Sequence, residues 1–94
     1  MSCIIAILFE EHIDDSYVAV MLPGPDPEVL FMKGPGFTKT MGPFPRAYAE
    51  ATFSKWGYCR LENPPEVNLK DTRSVADAVR RIVRNGETSA VCVV

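Results

Sequence analysis

Cys3-Ile-Ile-Ala-Ile-Leu-Phe9 is the stretch on which the fold turns. Its seven residues are all apolar, three of them isoleucine, and the run is too short for a lone buried helix. A continuous apolar run of this length predicts a β-strand covered on both faces. The polar segment Glu10-Glu-His-Ile-Asp-Asp15 follows as a turn, and Tyr17-Val-Ala-Val-Met-Leu22 as a second strand, so the two propose an antiparallel hairpin.

Working outward, Pro23-Gly-Pro-Asp-Pro27 interrupts regular structure, because proline fixes φ and lacks an amide donor. Glu28-Val-Leu-Phe-Met-Lys33 reads as a third strand. The segment from Gly34 to Pro43 reads as the main irregular loop, and it carries the apolar Phe37 and Met41. A helix is expected to begin near Phe44 or Pro45 and to end at Gly57. Pro45, Ala49, Thr52, Phe53 and Trp56 fall within about 100° on its helical wheel, which marks them as its core side. Tyr58 to Leu61 is a short strand, broken by Asn63-Pro-Pro65.

A second helix opens at Asp71 or Thr72, either of which caps it. Val75, Ala78, Val79 and Ile82 give its buried stripe at i, i+3, i+4 and i+7. Asn85-Gly86 closes it, and Ser89 to Val94 is a last apolar strand. The order is β-β-β-α-β-α-β. We read a single α+β domain over 1–94, with two helices packed on one face of a mixed, mostly antiparallel sheet.

Ninety-four residues make one core and little more. The longest apolar run is far short of the roughly 20 residues of a spanning helix. No basic residue precedes it, which argues against a signal peptide. The expectation is a soluble cytoplasmic protein. Cys3, Cys59 and Cys92 stand in apolar or strand-like stretches with no CxxC pair, which suggests buried, reduced thiols.

Charge divides the chain. Residues 1–32 hold six acids and no Lys or Arg, while 33–94 hold ten basic residues and six acids, so the net charge of −2 is −6 plus +4. The acidic part centres on Glu10, Glu11, Asp14 and Asp15. The basic part centres on the second helix, where Arg73, Arg80 and Arg84 share a face. Guanidinium groups pair with phosphate or carboxylate through two parallel hydrogen bonds. Arg81 stands at an i, i+4 spacing from Asp77, so an ordinary solvated helix face explains the same residues. A pI near 5.3 weighs against nucleic acid as a partner.

Catalytic signals are weak. Lys39-Thr40 imitates the end of a phosphate loop, but Lys33 and Thr38 occupy the two positions that require glycine. His12 is the only histidine, and it lies among acids whose spacing fits no metal loop, so no metal and no cofactor are implied. Tyr48, Trp56 and Tyr58 suit either the core or the face of a planar ligand.

Two functions are expected from this reading. The first is a non-catalytic protein-binding module, an inhibitor or adaptor of the kind encoded by phages and other mobile elements. It would occupy a partner's surface through Glu10, Glu11, Asp14, Asp15, Phe37 and Met41. The second is a binder of a small anionic ligand such as a nucleotide, held by Lys39, Thr40, Arg73, Arg80 and Arg84. The apolar strand Ala90 to Val94, placed at a sheet edge, would also support a homodimer.

Overall fold

The computed structural model describes residues 2–8 and 15–85. The chain forms β1 (Ser2–Leu8), β2 (Tyr17–Met21), β3 (Glu28–Lys33), β4 (Lys39–Pro45), α1 (Arg46–Trp56), β5 (Cys59–Arg60), β6 (Glu66–Val67) and α2 (Thr72–Asn85). The sheet order is β4-β3-β2-β1-β5, with β6 pairing the other end of β1. Every pairing among the described residues is antiparallel. The α+β class and the mostly antiparallel sheet therefore stand as read from the sequence. The expected last strand, Ser89 to Val94, lies outside the described residues.

The helices do not share a face as the sequence reading had them. Val18, Val20 and Met32 pack with Val75, Val79 and Ile82 of α2, whereas Ala19, Val29 and Phe31 pack with Ala49 and Phe53 of α1. Successive strand residues point to opposite faces, so the two helices cover opposite sides of one sheet. The physical reason lies in β1 to β3, which are apolar on both sides. Two helices on one face would leave the other apolar face in water. A register shift between Ile4 and Ala6 sets Ile5 and Ala6 on the α1 side, while Ile4 and Ile7 stay on the α2 side.

The segment read as an irregular loop contains a strand. β4 pairs with β3 through Phe31↔Met41, Met32↔Thr40 and Lys33↔Lys39, then slips register before Val29↔Phe44. The slip falls at Gly42, whose φ is +107°, and a Cβ there would stand 3.2 Å from the Val29 carbonyl oxygen. Pro43 and Pro45 hid the strand in the sequence. They are tolerated because β4 is an edge, where a missing donor costs no ladder bond.

Phe37 precedes β4 at φ 55° and is buried in the α2-side core. It is not the partner-facing residue expected of it. Core burial outweighs the backbone strain, which for a bulky residue at positive φ is about 1–3 kcal/mol.

The end of α1 and the start of α2 are capped as the sequence implies, while Gly86, expected to close α2, lies outside the described residues. The Gly57 amide donates to the Phe53 carbonyl at 3.0 Å with Gly57 at φ 80°. At the start of α2, the Asp71 carboxylate accepts from the Arg73 amide at 3.1 Å. No helix among the described residues is long and apolar enough to cross a membrane. Cys3 is a free thiol, but Cys59 is disulfide-bonded, which corrects the expectation of reduced cysteines. Cys92 lies outside the described residues.

Candidate functional site

Strand register builds the floor of a cleft on the α1 side. One cross-strand row runs Arg60, Ala6, Ala19, Phe31, Met41. The next row on the same face, two residues along each strand, runs Leu8, Tyr17, Lys33, Lys39. Ala6 and Ala19 are the only small members, and they make room for the Phe53 ring of α1. That ring meets Phe31 edge-on at 6.1 Å and lies under the Arg60 guanidinium at 5.4 Å. Glu50 holds Arg60 in place at 3.4 Å and also pairs with Arg46 at 3.3 Å.

Beyond Phe53 the helix leaves the sheet uncovered. Leu8, Tyr17, Phe31, Met41, Phe44, Tyr48, Thr52, Trp56 and Tyr58 line an open cleft of about 400 Å3. Tyr48, Thr52 and Trp56 stand at i, i+4 and i+8 on α1, so one helical stripe forms a whole wall. Met41 and Phe44 of β4 form another. Aromatic contacts run unbroken from core to surface: Phe53 to Tyr58 at 5.3 Å, Tyr58 to Phe31 at 5.8 Å, Phe31 to Phe44 at 5.9 Å, and Phe44 to Tyr48 at 5.2 Å. The inner rings are therefore held by neighbours on several sides. The outer residues are not: Met41, Tyr48 and Trp56 are 57%, 60% and 61% exposed.

Trp56 and Pro45, counted with the core side of the helix, are thus exposed, and Tyr48 is not a core residue either. Only Ala49 and Phe53 of α1 are buried. The missed signal was the 48, 52, 56 spacing, which lies beside the 49, 53 stripe and is too apolar for a purely solvated face.

The polar groups at the cleft are hydroxyls, ammoniums and the Trp56 indole N–H. Burial, with a smaller contribution from the nearby Tyr17 phenol, holds the Tyr58 hydroxyl well above the usual tyrosine value, so it stays protonated. The Lys33 ammonium lies 5.0 Å from the centre of the Tyr17 ring. A shallower depression of about 200 Å3 adjoins the cleft and shares Tyr17, Phe31 and Met41 with it; Met32, Lys33, Lys39 and Thr40 complete its lining. Among the described residues, no carboxylate lines either depression.

The expected site residues separate. Met41 lines the cleft and Lys39 edges it, while Phe37 is buried on the other side of the sheet. Asp15 is exposed; Glu10, Glu11 and Asp14 lie outside the described residues, as does His12. Thr40 pairs with Met32 and points to the α2 face, away from Lys39. Arg73, Arg80 and Arg84 are exposed on α2, across the sheet from Lys39, so the five anion-binding candidates do not converge. Arg73 pairs loosely with Asp71 at 3.9 Å and Arg80 with Asp77 at 3.2 Å, the pattern of an ordinary solvated helix face. No group of three or more His, Cys, Asp or Glu among the described residues is placed to hold a metal ion.

No known protein family, curated protein or solved structure matches this chain.

Proposed function

We propose that the protein is a non-catalytic binding module that occupies a partner protein's surface as an inhibitor or adaptor, and that the α1-side cleft makes the contact. One observation carries the reading: Met41, Tyr48 and Trp56, each more than half exposed, ring an open apolar cleft of about 400 Å3. Large apolar side chains grouped around a concavity lose water-exposed area only when something covers them. Trp and Tyr dominate the energetics of protein interfaces, and the unbranched Met adapts to irregular partners. The inner aromatic contacts hold the cleft in shape before binding, which lowers the ordering cost of association.

The contact surface in this reading moves from the acidic turn and Phe37 to Met41 and α1. A small phage-type or mobile-element effector remains the kind of protein proposed. A cytoplasmic location is part of the same reading, but the Cys59 disulfide weighs against it, since such bonds persist in oxidising compartments. Alkylating the thiols of protein taken directly from cells decides the point: a labelled Cys59 supports the cytoplasm, and a blocked Cys59 removes it.

The test of the function is site-specific cross-linking. A photoreactive phenylalanine analogue at position 48 should capture one partner, identified by mass spectrometry and reproduced with that partner purified. The same analogue at position 84, across the sheet, should not. Trp56→Ala should abolish the capture. Equal capture from both positions, or none from position 48, would defeat the reading.

A second reading, a binder of a small anionic ligand such as a nucleotide, is favoured by Lys33 and Lys39, which continue the cleft floor beyond Tyr17. It no longer involves the α2 arginines. A nucleotide at 100 times its Kd would raise stability by about 2.7 kcal/mol. A flat thermal-shift panel removes this alternative.

A further inference from the structure

Every described polar group at the cleft and its side depression is able to donate a hydrogen bond. The phenols of Tyr17, Tyr48 and Tyr58, the Thr52 hydroxyl and the Trp56 indole N–H are of this kind, and Lys33 and Lys39 add positive charge. The Thr52 hydroxyl is already used, donating to the Tyr48 carbonyl at 3.1 Å. Burial keeps the proton on Tyr58. Lys39 is exposed and lies two residues before Met41, which lines both depressions. An apolar cleft whose end is basic and donor-rich complements a group that is aromatic at one end and anionic at the other.

We propose that the cleft seats an aromatic side chain of the partner protein with an acidic residue next to it. The ring enters among Phe31, Phe44, Tyr48 and Trp56, where edge-on and offset contacts are available on several sides. The neighbouring carboxylate meets Lys39 at the rim. The cleft volume of about 400 Å3 accommodates a single ring with its flanking backbone, and fits a side-chain anchor better than a broad flat interface. This inference rests on the reading of the cleft as a protein contact, and it adds the chemistry of the segment recognised.

Trp56, the chain's only tryptophan, stands at the cleft wall and reports on occupancy by its fluorescence. The probes are three capped peptides, Ser-Gly-Phe-Glu-Gly-Ser and its Phe→Ala and Glu→Gln versions, with adenosine monophosphate as a fourth. The acidic aromatic peptide should shift Trp56 emission and bind about threefold to fivefold more tightly than its Gln version, the range of an exposed ion pair. The Ala version should not bind. Lys39→Gln, a change at an exposed position, should erase the Glu preference and leave aromatic binding intact, as should about 0.5 M salt. Equal affinity for the Glu and Gln peptides, or a preference that survives Lys39→Gln, would overturn the acidic component and leave the protein-contact reading standing. A response to adenosine monophosphate alone would overturn the inference in favour of a small anionic ligand. Silence from all four probes would overturn it too, while capture from position 48 judges the protein-contact reading separately.

Discussion

The two faces of this sheet are built from different materials and finished to different degrees. On the α2 side, Ile4, Ile7, Val18, Val20, Val75, Val79 and Ile82 are all fully buried. These are compact aliphatic side chains, and the stripe of α2 closes over them. On the α1 side, Ala6 and Ala19 share a core with the rings of Phe31, Phe53 and Tyr58, and the packing stops before the sheet does. Three large apolar side chains are left standing in water. Close packing is the ordinary state of a protein interior. In the proposed function, the closed face supplies the packed core and the open one presents an apolar concavity to a partner. The arginines of α2 stand on the outside of the closed face, where they are solvated and in part paired with neighbouring acids.

The largest expected effect tests the closed face. Ile82→Ala should cost about 2–5 kcal/mol by chemical denaturation, the range for deleting a fully buried aliphatic side chain. Partner capture per folded molecule should be unchanged. If capture fell with stability restored by lower temperature, the division of labour between the faces would be broken.

Trp56→Ala should show the opposite profile. Stability should move by about 0.5 kcal/mol or less, as for an exposed site. Affinity for the captured partner should fall by about 2 kcal/mol or more, roughly 30-fold. A large loss of stability with intact binding would make Trp56 a core residue after all.

Gly42→Ala sharpens the comparison at the cleft's β4 wall. The new Cβ meets the Phe44 amide nitrogen at 3.1 Å in a backbone conformation that favours glycine, so a cost of about 1–3 kcal/mol is expected. Because Phe44 and Met41 flank Gly42, binding should weaken too, and titrations of both quantities check this.

The smallest effect concerns pH. Tyr58 is held protonated in the folded state above its usual value of 10.0. Its contribution to stability is complete below pH 10.0 and falls as pH rises toward the higher folded value. Denaturation at pH 9 and 11 should therefore show a decline that is shallower in Tyr58→Phe.

The closed face was legible in the sequence and the open one was not. Val75, Ala78, Val79 and Ile82 follow helical spacing without interruption, and the structure buries all four. The run from Cys3 to Phe9 already demanded cover on both sides of β1. That demand is incompatible with two helices on one face, and it points to the observed arrangement. β4 was illegible because glycine and proline mark loops in most settings, and only the pairing with β3 reveals an edge strand. The cleft was illegible for a different reason. Its floor is assembled by cross-strand register from Leu8, Tyr17, Phe31 and Met41, residues on four strands that no local pattern connects. Phe37 looked exposed because its neighbours are Gly and Pro, yet its own ring is core.

In the proposed function the α1-side cleft, and not the α2 side, meets the partner. The direct measurement is the affinity of the cross-linked partner for two variants compared side by side, Trp56→Ala and the double change Arg80→Glu with Arg84→Glu. A loss of roughly 30-fold or more is expected for the first and of less than about threefold for the second. A weak effect of Trp56→Ala beside a large effect of the arginine reversals would contradict it.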